Sequence, residues 1–466
     1  MATVVWFRQD LRLSDNPALA AAAKRGPVVP LYILEGGQRP PGGASRWWLH
    51  HSLAALSESL GGLVLRRGDA ARLLPQIAAE AGADRVMWNR RYEPDAIARD
   101  EAALQALTKA GIAVDTFNGN LLHEPSGIAT QSGGPFKVYT PFWRACRARR
   151  VPPPLRAHKP AIEVEGLDSD PLASWRLLPA KPDWAAGWGT YWTPGERGAQ
   201  ARLDVFLRRD LKNYDVARDR PAGRNTSLLS PHLHFGEISP RQVWARLAFA
   251  AEKAAPAQAA AKFAAELGWR EFCAHLVHHF PTIPRENWRT AFDRFPWRRS
   301  AADLKAWQRG ETGYPMVDAG MRELWHTGWM HNRVRMIAAS FLVKHLRIDW
   351  REGEAWFWDT LVDADLANNA GNWQWVAGSG ADAAPYFRIF NPVLQGGKFD
   401  PAGDYVRRWC PELKNLPDKF IHAPFAADAA VLARAGIVLG RDYPKPIVDH
   451  RAAREAALAA YRKVAR

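Results

Sequence analysis

Met1-Ala2-Thr3-Val4-Val5-Trp6-Phe7-Arg8-Gln9-Asp10 opens the chain as an apolar run with charges only behind it. Four more short apolar runs follow, at Val28–Leu34, Leu63–Leu65, Arg85–Trp88 and Ile112–Phe117, separated by alanine- and leucine-rich helical stretches. Strand and helix signals in alternation predict parallel βαβ units and a doubly wound sheet. Asn16-Pro17 reads as an N-cap followed by proline at the first helical position, and Asp69 and Asp95 stand where later helices should start. No G-x-G-x-x-G follows the first run, so a Rossmann dinucleotide site is not supported there; the carboxyl ends of such strands can still hold ligands.

Outward from this region the pattern breaks. Pro152-Pro153-Pro154, Pro160, Pro171, Pro179, Pro182 and Pro194 lie within 131–195. Such a stretch predicts neither helix nor central strand, but a long surface connection pinned by Trp175, Trp184, Trp188 and Trp192. After Gly195, apolar residues recur at helical spacing over Glu196–Tyr214, Ser239–Ala255, Ala261–His279, Ser300–Arg309, Pro315–Thr327, Met330–Leu346 and Gly353–Leu361. The expected fold class is therefore α/β plus all-α: a parallel-sheet domain at 1–130, a linker at 131–195 and a helical domain at 196–466.

With 466 residues, 47% apolar and 24% charged, the composition is that of a globular chain and not a disordered one. The net charge of +15 points to a polyanionic partner or to a merely basic enzyme. Twenty-two tryptophans exceed what packing needs, because a buried indole N–H requires a partner; they hint at stacking or electron transfer. Cys146, Cys273 and Cys410 form no CxxC pair, which fits a reducing compartment without disulfides or zinc. The N-terminus lacks signal-peptide order and no apolar run reaches membrane-spanning length, so the expectation is a soluble, cytoplasmic protein with no membrane contact.

The chemistry concentrates in Gly313–Phe399, where polar residues stand among large apolar ones and demand hydrogen-bond partners. Asn368-Asn369-Ala370-Gly371-Asn372-Trp373-Gln374-Trp375 lies inside it. Trp373 and Trp375 are two apart, ~200° on a helix, so one can face inward while the other lines a cavity. Asn332 and Met336 share a face at i, i+4 while Arg333 points elsewhere. Asp363 and Asp365 could be metal ligands, yet no further ligand stands at suitable spacing; ribose hydroxyls, a ring N–H or Arg335 suit them better, and no metal is expected. Upstream, Glu266, Trp269 and Arg270 share one helix face, as a salt bridge over a core indole or as a pocket wall. Thr226-Ser227-Leu228-Leu229-Ser230 ahead of Pro231 offers hydroxyls and backbone N–H groups, a helix cap or a phosphate cradle.

At these residues the sequence resembles the photolyase/cryptochrome family. The resemblance rests on Val5-Trp6-Phe7-Arg8-Gln9-Asp10-Leu11-Arg12-Leu13, on Gly320-Met321-Arg322 through Asn332-Arg333-Val334-Arg335-Met336, and on Ala384-Pro385-Tyr386-Phe387-Arg388-Ile389-Phe390-Asn391-Pro392. It implies an α/β antenna domain, a linker and a helical domain that holds FAD, functional as FADH⁻. Position by position, it makes Tyr214, Thr226, Ser227, Leu228, Leu229 and Ser230 phosphate-side contacts. Arg270, Asn332, Arg335, Asp363, Asp365 and Asn369 become contacts to the ribityl chain and ring, with Asn369 facing the flavin N5. Glu266, Trp269, Asn332, Met336 and Trp375 match a pocket for a pyrimidine dimer flipped out of UV-damaged DNA, with Arg218 and Arg333 on its phosphates. Trp373, Trp350 and Trp297 match the family's electron-carrying tryptophan chain.

The implied activity is light-driven splitting of cyclobutane pyrimidine dimers by a monomeric carbon–carbon lyase, with Glu266 stabilising the dimer radical anion; the alternative is a blue-light photoreceptor without repair. Six-four photolyases carry a histidine pair where this chain has Asn332 and Met336. Plant cryptochromes carry an acid at the position of Asn369, usually lack the tryptophan that Trp269 matches, and have a long signalling tail. The linker and Ser45-Arg46-Trp47-Trp48-Leu49-His50-His51-Ser52-Leu53 resemble class III bacterial photolyases. Trp47, Trp48, His50 and His51 then imply 5,10-methenyltetrahydrofolate as antenna, with 8-hydroxy-5-deazaflavin or an empty site as alternatives.

Overall fold

The computed structural model describes residues 1–37, 39–223, 225–253, 256–383 and 387–464. The expected helix end at Ala255 and the motif residues Ala384-Pro385-Tyr386 lie outside the described residues. By backbone proximity the chain forms two units. One comprises Met1–Tyr214, Ser227–Pro281 and Val362–Ala367; the other comprises Asp215–Thr226, Thr282–Leu361 and Asn368–Arg466.

The first unit begins with β1 (Thr3–Phe7), α1 (Pro17–Ala23), β2 (Val28–Leu34), α2 (Gly43–Leu60), β3 (Val64–Arg67), α3 (Ala70–Glu80), β4 (Arg85–Asn89), α4 (Pro94–Lys109) and β5 (Ala113–Phe117). All strand pairs are parallel and the order is β3-β2-β1-β4-β5, so the chain winds outward on one side of β1 and then returns to the other. The central register sets Val4 against Val29 and against Val86. β1 is buried along its whole length, which explains a continuous apolar run instead of an alternating one. Leu73, Leu74 and Ile77 of α3 with Ala103 and Leu107 of α4 pack on Val4, Trp6, Val86 and Trp88. Asn16 caps α1 by accepting from Leu19 N at 3.1 Å, and Asp69 caps α3 from Arg72 N at 3.0 Å. Asp95 instead sits inside the first turn of α4, which Glu93 precedes; there its charge complements the helix dipole.

The proline-rich stretch departs from expectation at its start. α5 spans Tyr139–Arg147, with Pro141 in its first turn, where a missing N–H breaks no helical hydrogen bond. Beyond it the chain is irregular except for an isolated parallel bridge of Ile162 to Val28 and short 3₁₀ turns at Leu172–Trp175 and Trp188–Thr190. Its indoles do pin it: Trp188 packs on Trp47 at 5.4 Å and on Trp184 at 5.1 Å, Trp192 on Trp48 at 5.3 Å, and Trp175 donates to Asp170 at 3.0 Å.

α6 (Glu196–Val205) gives way to a π-helical turn at Phe206–Asp210 and a 3₁₀ turn at Leu211–Asn213 before α7 (Tyr214–Ala217), so the predicted single helix is segmented. α8 (Ser230–His234), α9 (Pro240–Lys253) and α10 (Ala257–His279) follow. Leu203, Phe206, Leu233, Val243 and Phe263 form the core among α6, α8, α9 and α10.

The second unit holds α11 (Ala301–Arg309), α12 (Pro315–Thr327), α13 (Asn332–Ser340) and α14 (Trp350–Thr360). α15 (Leu366–Ala377) lies mostly in it, and α16 (Pro392–Phe399), α17 (Asp404–Trp409), α18 (Ala429–Ala435) and α19 (His450–Arg462) complete it. α13 starts two residues later than the periodicity predicts because His331 caps it, its Nδ1 accepting from Arg333 N at 3.1 Å. A π turn, Phe341–His345, extends it. α14 starts earlier than predicted, at Trp350, because Asp349 caps it through Arg351 N at 3.0 Å.

Candidate functional site

In the first unit, α10 carries Glu266, Trp269 and Arg270 on one half-buried face, as their spacing predicts. Arg270 donates to the Asn120 carbonyl at 2.8 Å and lies 3.4 Å from Glu271. Burial raises the Glu271 carboxyl to about 7, with Arg270 and the His123 and Leu122 N–H groups pulling the other way. Tyr214 is buried against Phe206 and Phe263. The Ser227–Ser230 segment is a tight turn: Leu229 N donates to Ser227 Oγ at 3.3 Å and Arg202 to the Ser227 carbonyl at 2.9 Å. Leu228 within it holds a φ of 53°, a left-handed backbone that a branched side chain adopts only under constraint. Asp363 and Asp365 are half-buried, the latter 3.7 Å from His234 Nδ1.

The antenna candidates divide. Trp48 is fully buried, donates to Glu237 at 2.9 Å and packs on Phe235 and Trp192; it belongs to the core. Trp47 and His51 meet edge to face at 4.5 Å, with His50 5.3 Å from His51. Burial depresses both histidines, and His50 further depresses His51.

In the second unit, Arg333 bonds Asp219 at 3.0 Å and lies over the Phe399 ring at 4.4 Å, while Arg218 is 4.0 Å from the same Asp219 carboxylate. Two guanidiniums thus converge on one acid. Asn332 is exposed, Met336 is half-buried, and Arg335 donates to the Met330 carbonyl at 2.7 Å. On α15, Trp373 is buried and Trp375 half-buried, in keeping with their opposite headings.

Asn369 is buried and its amide nitrogen donates twice to Glu354, to the backbone oxygen at 3.0 Å and to Oε1 at 2.8 Å. Both amide hydrogens are thereby engaged, so what Asn369 offers a ligand is its carbonyl oxygen. Trp350 is fully buried and donates to Asn287 Oδ1 at 2.9 Å, and the Asn287 amide donates on to Asp293 at 2.7 Å. Trp373 packs against Gly353, one turn beyond Trp350 on α14, and against Phe357 at 5.0 Å. Trp297 is half-buried and rests on Phe295 at 4.4 Å.

Sequence reasoning missed three of these groups. Glu354 and Asn287 partner Asn369 and Trp350 from distant positions, which no local spacing reveals. His331, held neutral by burial that pushes it down to about 4, announced itself only as the residue before Asn332. Among the described residues no cluster of three or more His, Cys, Asp or Glu side chains could hold a metal, and no helix is long and apolar enough to cross a membrane.

Residues 3–161 match the family model of DNA photolyase, and residues 263–463 that of the FAD binding domain of DNA photolyase. A deoxyribodipyrimidine photo-lyase of Agrobacterium fabrum is 57% identical over 99% of this chain and 98% of its own length. The chain belongs to the photolyase/cryptochrome family. Arabidopsis thaliana cryptochrome-2 is 40% identical over 97% of the chain and 77% of its own length. A crystal structure of a class III photolyase from Agrobacterium tumefaciens superposes with a TM-score of 0.97 at 56% identity, covering 100% of this chain and 98% of that one. The fold is accordingly the photolyase/cryptochrome fold, a parallel five-stranded sheet followed by a mostly helical region.

Proposed function

We propose that this photolyase/cryptochrome family member is a light-dependent lyase that splits cyclobutane pyrimidine dimers in UV-damaged DNA, of the class III type. The observation that carries this reading is the 57% identity to a deoxyribodipyrimidine photo-lyase across nearly the whole of both chains. The donor set fits FAD. Ser227, Ser230 and Tyr214 hydroxyls with Thr226 suit its phosphate side, Asp363 and Asp365 suit sugar hydroxyls, and Arg270, Asn332, Arg335 and Asn369 suit the ring and ribityl chain. The carbonyl oxygen that Asn369 presents can accept from an N–H, which the reduced isoalloxazine bears at N5 and the oxidised one lacks. When bound as FADH⁻, the flavin supplies a photoexcitable electron donor.

The remaining roles belong to the chain itself. Trp269 and Trp375 wall the lesion pocket with flat apolar surface, Met336 fills beside them, and Asn332 and Glu266 hydrogen-bond the flipped bases. Arg218 and Arg333 neutralise flanking phosphates. Trp297, Trp350 and Trp373 carry electrons inward to restore the reduced cofactor, and the Trp350 N–H is held on a neutral amide oxygen that takes no proton from it. We assign 1–130 to an antenna domain, 131–195 to a linker and 196–466 to the FAD domain. 5,10-Methenyltetrahydrofolate at the segment bearing Trp47, Trp48, His50 and His51 is the preferred antenna, with 8-hydroxy-5-deazaflavin or an empty site as alternatives. We further infer a cytoplasmic monomer.

The deciding experiment is repair of a defined thymine dimer in DNA under blue light by reduced, FAD-loaded protein. Restored thymines are expected. A protein that holds FAD and repairs nothing is the photoreceptor that the cryptochrome-2 similarity would suggest.

A further inference from the structure

α5 and α10 meet at Gly268. A Cβ built there would stand 2.6 Å from Trp143 Cδ2 and 2.8 Å from the Tyr139 hydroxyl oxygen, so glycine is what lets the two helices lie this close. At that separation Tyr139 donates to the Ala265 carbonyl at 2.7 Å. Its ring lies flat on Trp269, centroids 3.7 Å apart and planes 6° from parallel. Phe272, three residues beyond Trp269, stands steeply inclined to both rings, 5.9 Å from each at 72°. Tyr139 also reaches the neighbourhood of Glu266: burial raises its hydroxyl, and the Glu266 charge adds to that.

We propose that Tyr139 is a positioning residue for lesion recognition: it covers one face of Trp269 and fixes the indole plane, so that a flipped base stacks on the opposite face. The proposal rests on the reading of Trp269 as a stacking wall. An indole covered by a second ring, which is itself seated by the Tyr139–Ala265 hydrogen bond, has little torsional freedom left to lose when a base arrives, and binding is tighter for that saving. Tyr139 is itself only half-buried, so its stack is not explained by core filling alone. Its hydroxyl serves to seat the ring, and the ring serves the lesion.

The test compares Tyr139→Leu and Tyr139→Phe with the parent, all FAD-loaded. Each is titrated with a duplex carrying one thymine dimer and with the same duplex undamaged. Tyr139→Leu is expected to weaken dimer binding by about 3- to 10-fold, the range of one aromatic pair. Its affinity for undamaged duplex and its repair per absorbed photon at saturation stay as in the parent. Tyr139→Phe, which keeps the stack, stays within about twofold of the parent throughout. Parent-like dimer binding by Tyr139→Leu, equal losses on both duplexes, or a Phe variant as weak as the Leu variant would each overturn the proposal. Should Tyr139→Leu fail to retain flavin, Tyr139→Met takes its place under the same criteria. A parent with no preference for the dimer duplex removes the underlying reading of Trp269, and the proposal with it.

Discussion

Glu323 is a carboxyl that the fold holds close to neutrality. Burial pushes it up to about 7, against the opposing pull of the Tyr405 hydroxyl, which donates at 2.6 Å, and of His331 N at 3.3 Å. An acid whose folded pKa lies above its unfolded value stabilises the fold while it keeps its proton. The unfolded chain releases this proton near 4.5 and the folded chain near 7, so the contribution is lost as pH rises through that window and is flat above it. Glu323→Gln keeps an acceptor for Tyr405 and has no proton to lose. The variant is expected to gain on the parent by about 1–3 kcal/mol between pH 5 and pH 8. Melting curves at the two pH values check this, and an offset independent of pH would refute it. Glu271 is shifted in the same direction, so only the difference between parent and variant isolates Glu323. Single residues were legible from sequence where their partners were local: the common face of Glu266, Trp269 and Arg270 follows from helix period alone. The amide orientation of Asn369 does not, because the acceptors that set it belong to Glu354 on another helix.

At the scale of elements, strands and most helices were legible because each buries one continuous stripe. β2 has the predicted bounds, and α12 spans Pro315–Thr327 as its period requires. Boundaries went astray where caps or widened turns intervened, as with His331 before α13 and the π turns at Phe206–Asp210 and Phe341–His345. α5 was hidden because the prolines downstream dominate the stretch, and because Pro141 looks like a helix breaker until it is placed in the first turn. Its packing depends on Gly268, a signal that only three dimensions interpret. α14 and α15 pack in the same way. A Cβ on Gly353 would overlap Trp373 Cη2 and come within 2.6 Å of Leu342. Gly353→Ala is therefore expected to cost about 1–3 kcal/mol and to displace Trp373. If Trp373 belongs to the electron chain, light-driven reduction of oxidised flavin slows in this variant and in Trp373→Phe, while repair by the pre-reduced Trp373→Phe protein is spared. Photoreduction at the parent rate in Trp373→Phe would remove that residue from the path.

For the whole molecule, the excess of 63 basic over 48 acidic residues sets how it meets DNA. Phosphate contacts release counterions, so affinity for any duplex falls linearly on logarithmic axes as salt rises, by about 0.9 in slope for each phosphate neutralised. Lesion preference comes from a different source if stacking on Trp269 and hydrogen bonds from Glu266 and Asn332 carry it, because a dimer and an intact pair bear the same backbone charge. The two contributions separate in one titration series. Arg333→Gln removes a guanidinium braced by Asp219 and Phe399, and it is expected to lower the salt slope by about 1 on damaged and undamaged duplex alike. The ratio of the two affinities should stay constant from low to physiological salt in parent and variant. A ratio that collapses as salt rises would mean that basic charge, and not the pocket, distinguishes the lesion. Trp269→Ala supplies the converse, a lowered ratio with an unchanged slope. A lowered slope in Trp269→Ala would instead place that indole among the groups that set overall DNA affinity.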